Sequence, residues 1–260
     1  MPRLSCLGAR VARQALCRAP LGRAPDARDR NFASLKRSFL QKPDKSSAGR
    51  IDPPIESLCA ALNQCAGIFT TSSCSGRAYL WLGDEPPKKH RGAGPLQRLR
   101  VSHVPDTASQ LLDAAAEFDA PSGPTVWLRF EPLVLHACCR DWPTARSLVS
   151  AARAAGLKRT SVTGPGPRLL TRGGGARAHA WRISLEGDER LEMPLVVEGR
   201  HAFPLGNQQL RSWLEAVLQR KFERNSLKLQ RLLLAVASLD EKAAHSSGKV
   251  PPAGVQPIMA

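Results

Sequence analysis

Apolar positions along this chain switch repeatedly between two spacings, one helical and one that of a half-buried strand. Phe32, Leu35 and Phe39 fall at helical spacing. Asp52 followed by Pro53 predicts a helix start, with an acceptor at the N-cap and proline at the first helical position. Ile55, Leu58 and Leu62 then line one face of that helix. Gly67–Thr71 is β-prone, a Ser/Gly turn follows, and Ala78–Leu82 reads as a second strand. Asp84–Pro95 is a charged Gly/Pro loop before a third strand over Leu96–Val104. Asp106 caps another helix, whose stripe is Ala108, Leu111, Leu112 and Ala115. After a break at Pro121–Pro124, Val126, Leu128 and Phe130 alternate with Trp127 and Arg129, a strand with two unlike faces.

Leu133–Ala137 continues apolar after Pro132, and Ala145, Leu148, Val149 and Ala152 mark a helix that ends at Gly156. Short strands are expected at Arg159–Thr163, His179–Leu185 and Leu191–Val197. A long helix over Gln208–Leu239 closes the pattern, with a seam of Leu218, Phe222, Asn225, Leu229, Leu232 and Val236. Asn225 in that seam is either a register device or a group presented to something polar. Strands and helices mix without regular alternation, which predicts a single α+β domain with a mixed sheet packed by helices. A Rossmann fold is unsupported: no strand–GxGxxG–helix pattern is present, and Gly173–Gly175 reads as a flexible loop. P-loop, GxSxG and HExxH motifs are absent as well.

Composition adds to this picture in three ways. With 260 residues, 42% hydrophobic but only 5% aromatic, the chain can fill a core made mainly of Leu, Val and Ala. Its apolar runs fall far short of the roughly 20 residues a membrane span needs. The net charge of +16 is unevenly spread, because residues 1–50 hold twelve cations and three acids. Residues 1–25 contain Arg3, Arg10, Arg13, Arg18 and Arg23 and no acid, the composition of an organellar transit peptide or of a basic leader. The expected division is therefore a leader over 1–30, a folded domain over 31–240 and a Ser/Gly/Pro-rich tail over 241–260. The rest of the chain still carries excess positive charge, which favours a polyanionic partner. Seven cysteines without a CxxC pair argue against a disulfide framework or zinc ribbon and for a reducing compartment.

Three segments carry candidate chemistry. Thr70-Thr71-Ser72-Ser73-Cys74-Ser75-Gly76-Arg77 places hydroxyls, a glycine and a guanidinium between two strand signals, where they can hold a carboxylate, a phosphate or a base edge. An ordinary Ser/Thr-rich turn has the same composition. In Phe130-Glu131-Pro132-Leu133-Val134-Leu135-His136-Ala137-Cys138-Cys139-Arg140, three polar residues punctuate a buried strand pair. On a strand, His136 and Cys138 share a face and Cys139 points away, so at most two metal ligands converge and no metal is expected. His136 is either a hydrogen-bonded core histidine or a proton-transfer or substrate-contacting group. Lys158-Arg159-Thr160-Ser161 follows a helix C-terminus, where cations complement the helix dipole or grip a phosphate backbone.

These same segments resemble the signature blocks of the tRNA wybutosine-synthesising protein 3 family. The resemblance rests on FTTSSCSGR (Phe69–Arg77), FEPLVLHACCR (Phe130–Arg140) and AAGLKRTSV (Ala154–Val162). Asp44–Asp52 is similar to the family's D-x-S-x-x-G-x-x-D segment, and Trp181-Arg182 with Leu191–Leu195 to its later block. The likeness runs over about residues 32–240. It implies a non-Rossmann methyltransferase that uses S-adenosyl-L-methionine. The family N-methylates the tricyclic wybutosine precursor beside the anticodon of phenylalanine tRNA, once its aminocarboxypropyl side chain is attached.

On that basis Ser72, Ser73, Ser75, Gly76 and Arg77 are expected to bind the cofactor's amino-acid end or the substrate side chain. His136 or Glu131 would accept the proton or orient its acceptor. Arg140, Lys158, Arg159, Ser161 and Arg182 would contact the anticodon loop. The expected compartment is the cytoplasm, or a mitochondrion or plastid if the leader directs import; no membrane and no obligate protein partner are expected. Two other readings are a catalytically silent tRNA-binding module and an acyl- or thiol-transfer enzyme with Cys74 as nucleophile.

Overall fold

The structure, a computed structural model, describes residues 26–42, 49–83, 98–118, 123–169 and 178–245. Most of the expected leader, all of the 84–95 loop, the Gly173–Gly175 loop and the end of the tail lie outside the described residues. Helix α1 (Ala27–Leu40) begins inside the stretch expected to be leader, capped by Asp26, whose carboxylate accepts from the Asp29 N–H. Helix α2 (Pro53–Gln64) follows, then strands β1 (Ile68–Cys74), β2 (Arg77–Leu82) and β3 (Arg98–Ser102). A 3₁₀ turn at Pro105–Thr107 leads into α3 (Ala108–Ala116), so Asp106 lies in that turn and does not cap the helix. Strands β4 (Val126–Glu131) and β5 (Val134–Cys139) precede α4 (Trp142–Ala154). Strands β6 (Ser161–Leu169), β7 (Ala178–Glu186), β8 (Leu191–Val197) and β9 (Arg200–His201) then lead to α5 (Gln208–His245).

The α+β class is as expected, but the strands do not form one mixed sheet. They divide into two, in the orders β1-β5-β7-β6 and β3-β2-β4-β8-β9, and every pairing is antiparallel. Sequence pattern marks where strands are and not which partner each takes, so the division was invisible in it. Strand β6 runs past its expected end at Thr163, straight through Gly164-Pro165-Gly166, because as an edge strand it tolerates missing donors and two register irregularities.

One face of each sheet is apolar and packs on helices. Beneath the first sheet, Leu135, Ala137, Ile183 and Leu185 meet α2, α4 and the C-terminal half of α5 through Leu229, Leu232 and Val236. Beneath the second, Ala78, Leu80, Leu128 and Phe130 meet α3 and the N-terminal half of α5 through Leu214, Leu218 and Phe222. Phe130 and Phe222 pack edge to face at 4.9 Å. Because one helix underlies both sheets, their other faces point to the same side of the molecule. Helix α1 covers only the far end of that side, where Phe32 packs on Phe69 and Cys138. No helix of the described residues is long and apolar enough to cross a membrane.

The chain crosses between the sheets three times, at Ser75-Gly76, Pro132-Leu133 and Gly187–Arg190. All three crossings meet Asn225, which is 2% exposed in the middle of the α5 seam. Its amide donates to the Ser75 carbonyl at 3.0 Å and accepts from the Leu133 N–H at 3.3 Å. The Gly187 N–H donates to the Leu133 carbonyl at 3.0 Å. A Cβ at Gly76 would lie 2.0 Å from the Asn225 amide nitrogen, and the residue's φ of +96° favours glycine in any case. Replacing Asn225 with Leu should cost roughly 2–4 kcal/mol, since two buried backbone groups lose their partners. A urea midpoint that stays put in the variant would remove this amide from its supporting role.

Candidate active site

Strand β1 pairs with β5 from Ile68 opposite Cys139 to Thr70 opposite Ala137, then skips Thr71 and resumes with Ser72 opposite His136. This bulge turns Ser72 onto the helix-free face, where it joins a row in register across all four strands. Ser72 lies opposite His136, His136 opposite Ser184, and Ser184 opposite Ser161. Residues directly opposite share a face, so three hydroxyls and an imidazole form one polar line. Ser72 Oγ and His136 Nδ1 are 2.8 Å apart, and Ser184 Oγ donates to the Glu186 carboxylate at 3.3 Å. Arg182, opposite Cys138, is exposed on the same face as a diagonal neighbour of His136.

Past the Ser75-Gly76 crossing, the helix-free face of the second sheet begins with Arg77. Its Nε and NH2 donate to one oxygen of Glu131 at 2.9 and 2.7 Å, and the Tyr79 hydroxyl donates to the other at 2.9 Å. Partial burial pushes the Glu131 carboxyl up, but these donors outweigh it and hold the group below its ordinary range. Glu131 is therefore a fixed carboxylate that orients Arg77, and its expected part as proton acceptor is withdrawn. Further along, Arg129 is buried, pairs with Glu192 at 2.6 Å and lies 6.0 Å from the Trp81 ring centroid. Arg98 lies 5.3 Å from the Tyr79 ring centroid.

A third group assembles where β1, β3 and the start of α2 meet. Asp52 occupies the N-cap position of α2, yet its side chain makes no cap bond. One oxygen instead accepts from the Ser75 N–H at 2.8 Å and the Ser75 hydroxyl at 3.3 Å, and lies 3.3 Å from His103 Nδ1. The Cys74 thiol also bonds to this carboxylate. Burial first, and Asp52 in addition, push that thiol up, outweighing the lowering by the Gly76 backbone and Arg77. A protonated, partly buried thiol speaks against the nucleophile reading.

Ser75 and His103 open onto a cleft of about 420 Å³ between the 3₁₀ turn and α5, walled by Pro54, Val104, Phe222 and Leu227 with Glu223, Ser226 and Gln230. Donor atoms of Asp52, Cys74 and His103 lie within 4.8 Å of one another, the spacing of a metal-ligand set. The oxygen of Asp52 already accepts two hydrogen bonds from Ser75, one from its N–H and one from its hydroxyl. The group is accordingly a hydrogen-bond network.

Most residues singled out in the sequence thus meet on one side of the molecule, at the line between the sheets. Ser72, Arg77, Glu131, His136, Ser161 and Arg182 lie there, and half-buried Ser73 continues β1. Ser75 is 5% exposed and its hydroxyl is committed to Asp52, while Gly76 serves the crossing. Lys158 and Arg159 are exposed on the loop leading to Ser161. Arg140 does not join them. It pairs with Asp29 at 2.8 Å and Asp141 at 2.9 Å, its carbonyl accepts from Arg28, and its side chain is 14% exposed, so it locks α1 in place and is not offered to a tRNA. Cys139 lies in the core on the face opposite His136, and Cys138, on the same face as His136, is buried beneath α1. Asp52 as a binder of side chains, His103, Tyr79 and Ser184 were missed. The only hint at His103 was a histidine ending a strand just before Pro105-Asp106.

A fold of two antiparallel sheets on a shared helix, with a polar line at their junction and no nucleotide-binding glycine loop, defines a non-Rossmann class. The chain belongs to the Methyltransferase TYW3 family, whose model matches residues 29–238. It is 28% identical over 229 residues to the tRNA wybutosine-synthesizing protein 3 homolog of Mus musculus, covering 86% of this chain and 80% of that protein. It is also 28% identical over 173 residues to a Pyrococcus abyssi protein, covering 63% of this chain and 74% of that one. That relative is named tRNA(Phe) 7-((3-amino-3-carboxypropyl)-4-demethylwyosine(37)-N(4))-methyltransferase 2. The match to tRNA wybutosine-synthesizing protein 2/3/4 of Oryza sativa subsp. japonica, 29% identical, takes in 64% of this chain but only 16% of that protein. The fold is also that of the PH1069 protein from Pyrococcus horikoshii, at a TM-score of 0.62 and 21% identity over 80% of this chain and 97% of that one.

The depressed Glu131 carboxyl has a consequence for stability. Its bonds stabilise the fold at neutral pH, and that contribution disappears as acid titrates the group below the ordinary range near 4.5. Glu131→Gln should therefore be less stable than the parent at pH 7, with the gap closing at pH 3. Parallel urea melts check this; a gap that widens in acid refutes the assignment.

Proposed function

We propose that this chain is an S-adenosyl-L-methionine-dependent tRNA methyltransferase that N-methylates the aminocarboxypropyl-bearing tricyclic base of phenylalanine tRNA, next to the anticodon. The observation that carries the reading is the convergence, from four separate segments, of Ser72, His136, Ser161 and Arg77 on one helix-free side, with a 420 Å³ cleft opening at Ser75, between Ser72 and Arg77 in the chain. Family membership and the name of the Pyrococcus abyssi relative supply the reaction and the base. A cofactor-sized cleft with apolar walls and a few polar groups is the usual form of a small-molecule site.

The cleft's donor set fits such a methyl donor. Phe222, Leu227 and Val104 would hold a flat ring, and Glu223 and Gln230 would take hydroxyls or an ammonium group. When bound, the donor supplies an electrophilic methyl carbon on a sulfonium. The chain itself provides alignment in a water-poor site, which can lower a barrier by on the order of 7–11 kcal/mol. Arg77, held in one orientation by Glu131, keeps guanidinium N–H groups for a carboxylate of the substrate side chain or of the donor. His136, fixed by Ser72, presents its remaining ring nitrogen to the bound base. Exposed Arg182, Lys158, Arg159 and Arg98 flank this line and would contact anticodon-loop phosphates. The proposed compartment is the cytoplasm, with import the alternative raised by the arginine-rich leader.

Purified chain should transfer labelled methyl from S-adenosyl-L-methionine to phenylalanine tRNA carrying the precursor base. Arg77→Ala should lower kcat/KM by about 100-fold while the protein stays folded. Binding of tRNA without any methyl transfer would instead establish the silent binding module. Changing Lys158 and Arg159 together to Ala should weaken tRNA binding and flatten its salt dependence by about one unit of slope per lost contact. An unaltered slope takes both residues out of the interface.

A further inference from the structure

The stretch from Trp142 to Leu185 holds eight cations and no acid. It folds into α4, the edge strand β6 and β7, so this excess charge gathers on one border of the first sheet. Arg146, Lys158, Arg159, Arg168 and Arg182 are exposed there. Asp141, the last acid before the stretch, is already committed to its neighbours: one oxygen accepts from the Thr144 N–H and hydroxyl, the other from Arg140. Two tryptophans lie on the same border. Trp142, the first residue of α4, is 46% exposed, and its ring is tilted against that of half-buried Trp181 with centroids 4.9 Å apart. Trp181 lies opposite Cys139 and Pro165 on the helix side of the sheet and packs on the core beneath, which holds the pair in place. Arg146 follows Trp142 by one helical turn, and Arg168, opposite His179, is a diagonal neighbour of Trp181.

We infer that this border is a second contact for the substrate tRNA, in which an unpaired base stacks on Trp142 while Arg146 and Arg168 bind the phosphates on either side of it. The inference rests on the tRNA substrate of the reading above and on no part of its chemistry. An exposed aromatic ring between guanidinium groups suits a single-stranded nucleotide, because every base offers a flat face and its backbone offers the charge. A double-stranded segment would use the cations alone and leave the indole without a partner. Pairing with a strand of another protein is disfavoured, since Pro165 and Pro167 remove backbone donors from the β6 edge. The border also lies on the way out of the site. The polar line ends at Ser161, the first residue of β6. Trp181 precedes Ser184 by three residues on β7, about 10 Å along the strand but on the opposite face. RNA leaving the line therefore crosses the β6 edge, past exposed Arg159, Thr163 and Pro165, before it reaches the ring.

The deciding experiment is equilibrium binding of the full chain to phenylalanine tRNA, measured by filter retention across a salt series. Trp142→Ala should weaken binding at least about fivefold, the loss of a single stacked base, and leave the salt slope unchanged. Trp142→Phe should stay within about twofold of the parent, since a phenyl ring still stacks. Changing Arg146 and Arg168 together to Gln should lower the slope by about two units, one for each phosphate contact. In methylation assays, Trp142→Ala should raise KM for tRNA and keep the parent's kcat, because the contact is remote from the reacting base. A folded Trp142→Ala chain that binds like the parent overturns the inference, as does a loss that Trp142→Phe shares or a fall in kcat. If Trp142→Ala does not fold, the arginine pair decides, and an unaltered slope overturns the inference on its own. Tight tRNA binding by a parent chain that transfers no methyl would overturn the enzyme reading and leave this contact standing.

Discussion

A single buried amide holds the two halves of this molecule in relation to each other. Asn225 is placed where an apolar seam would otherwise continue, and each end of its side chain answers a backbone group from a different crossing between the sheets. Leucine there would fill the volume and leave a carbonyl and an N–H unpartnered in a dry interior. The two apolar clusters that α5 covers are separate, so hydrophobic burial alone does not set the angle between the sheets. Directional bonds at the crossings do. The groups proposed to hold the reacting base lie along that junction, with Ser72 and His136 on one sheet and Arg77 and Glu131 on the other.

The helices were largely legible in the sequence, because burial of one face imposes a period that survives in a single chain. Ile55, Leu58 and Leu62 lie in the core as their spacing requires, and so does the whole seam from Leu218 to Val236. Strand partnership was not legible, since an alternating segment fits either sheet equally well. The hydroxyl run was the instructive error. Small polar residues favour turns, and the Ser/Gly stretch after Thr71 read as one. On an open sheet face the same side chains are simply the outward half of a strand, and β1 extends to Cys74.

The site was legible in part for a related reason. Residues that act alongside their sequence neighbours could be proposed together, as Ser72 and Arg77 were. Asp52 and His103 are brought together only by the fold, and each has an ordinary local explanation as a helix cap or a strand end. Charge misled in the opposite direction at Arg140, where a cation in a signature block serves two carboxylates and a helix end. An arginine's role is set by whether its partners lie within the chain or outside it. For Arg140 both are within.

The skipped residue in β1 carries a consequence of its own. Because Thr71 has no partner on β5, the strand changes which of its residues look outward partway along its length. Gaining or losing one amino acid between Phe69 and Cys74 would turn Ser72 inward and put a neighbour beside His136. A stretch whose composition suggests a tolerant loop is thus among the segments least able to change length, and descendants of this chain should vary its letters far more freely than their number.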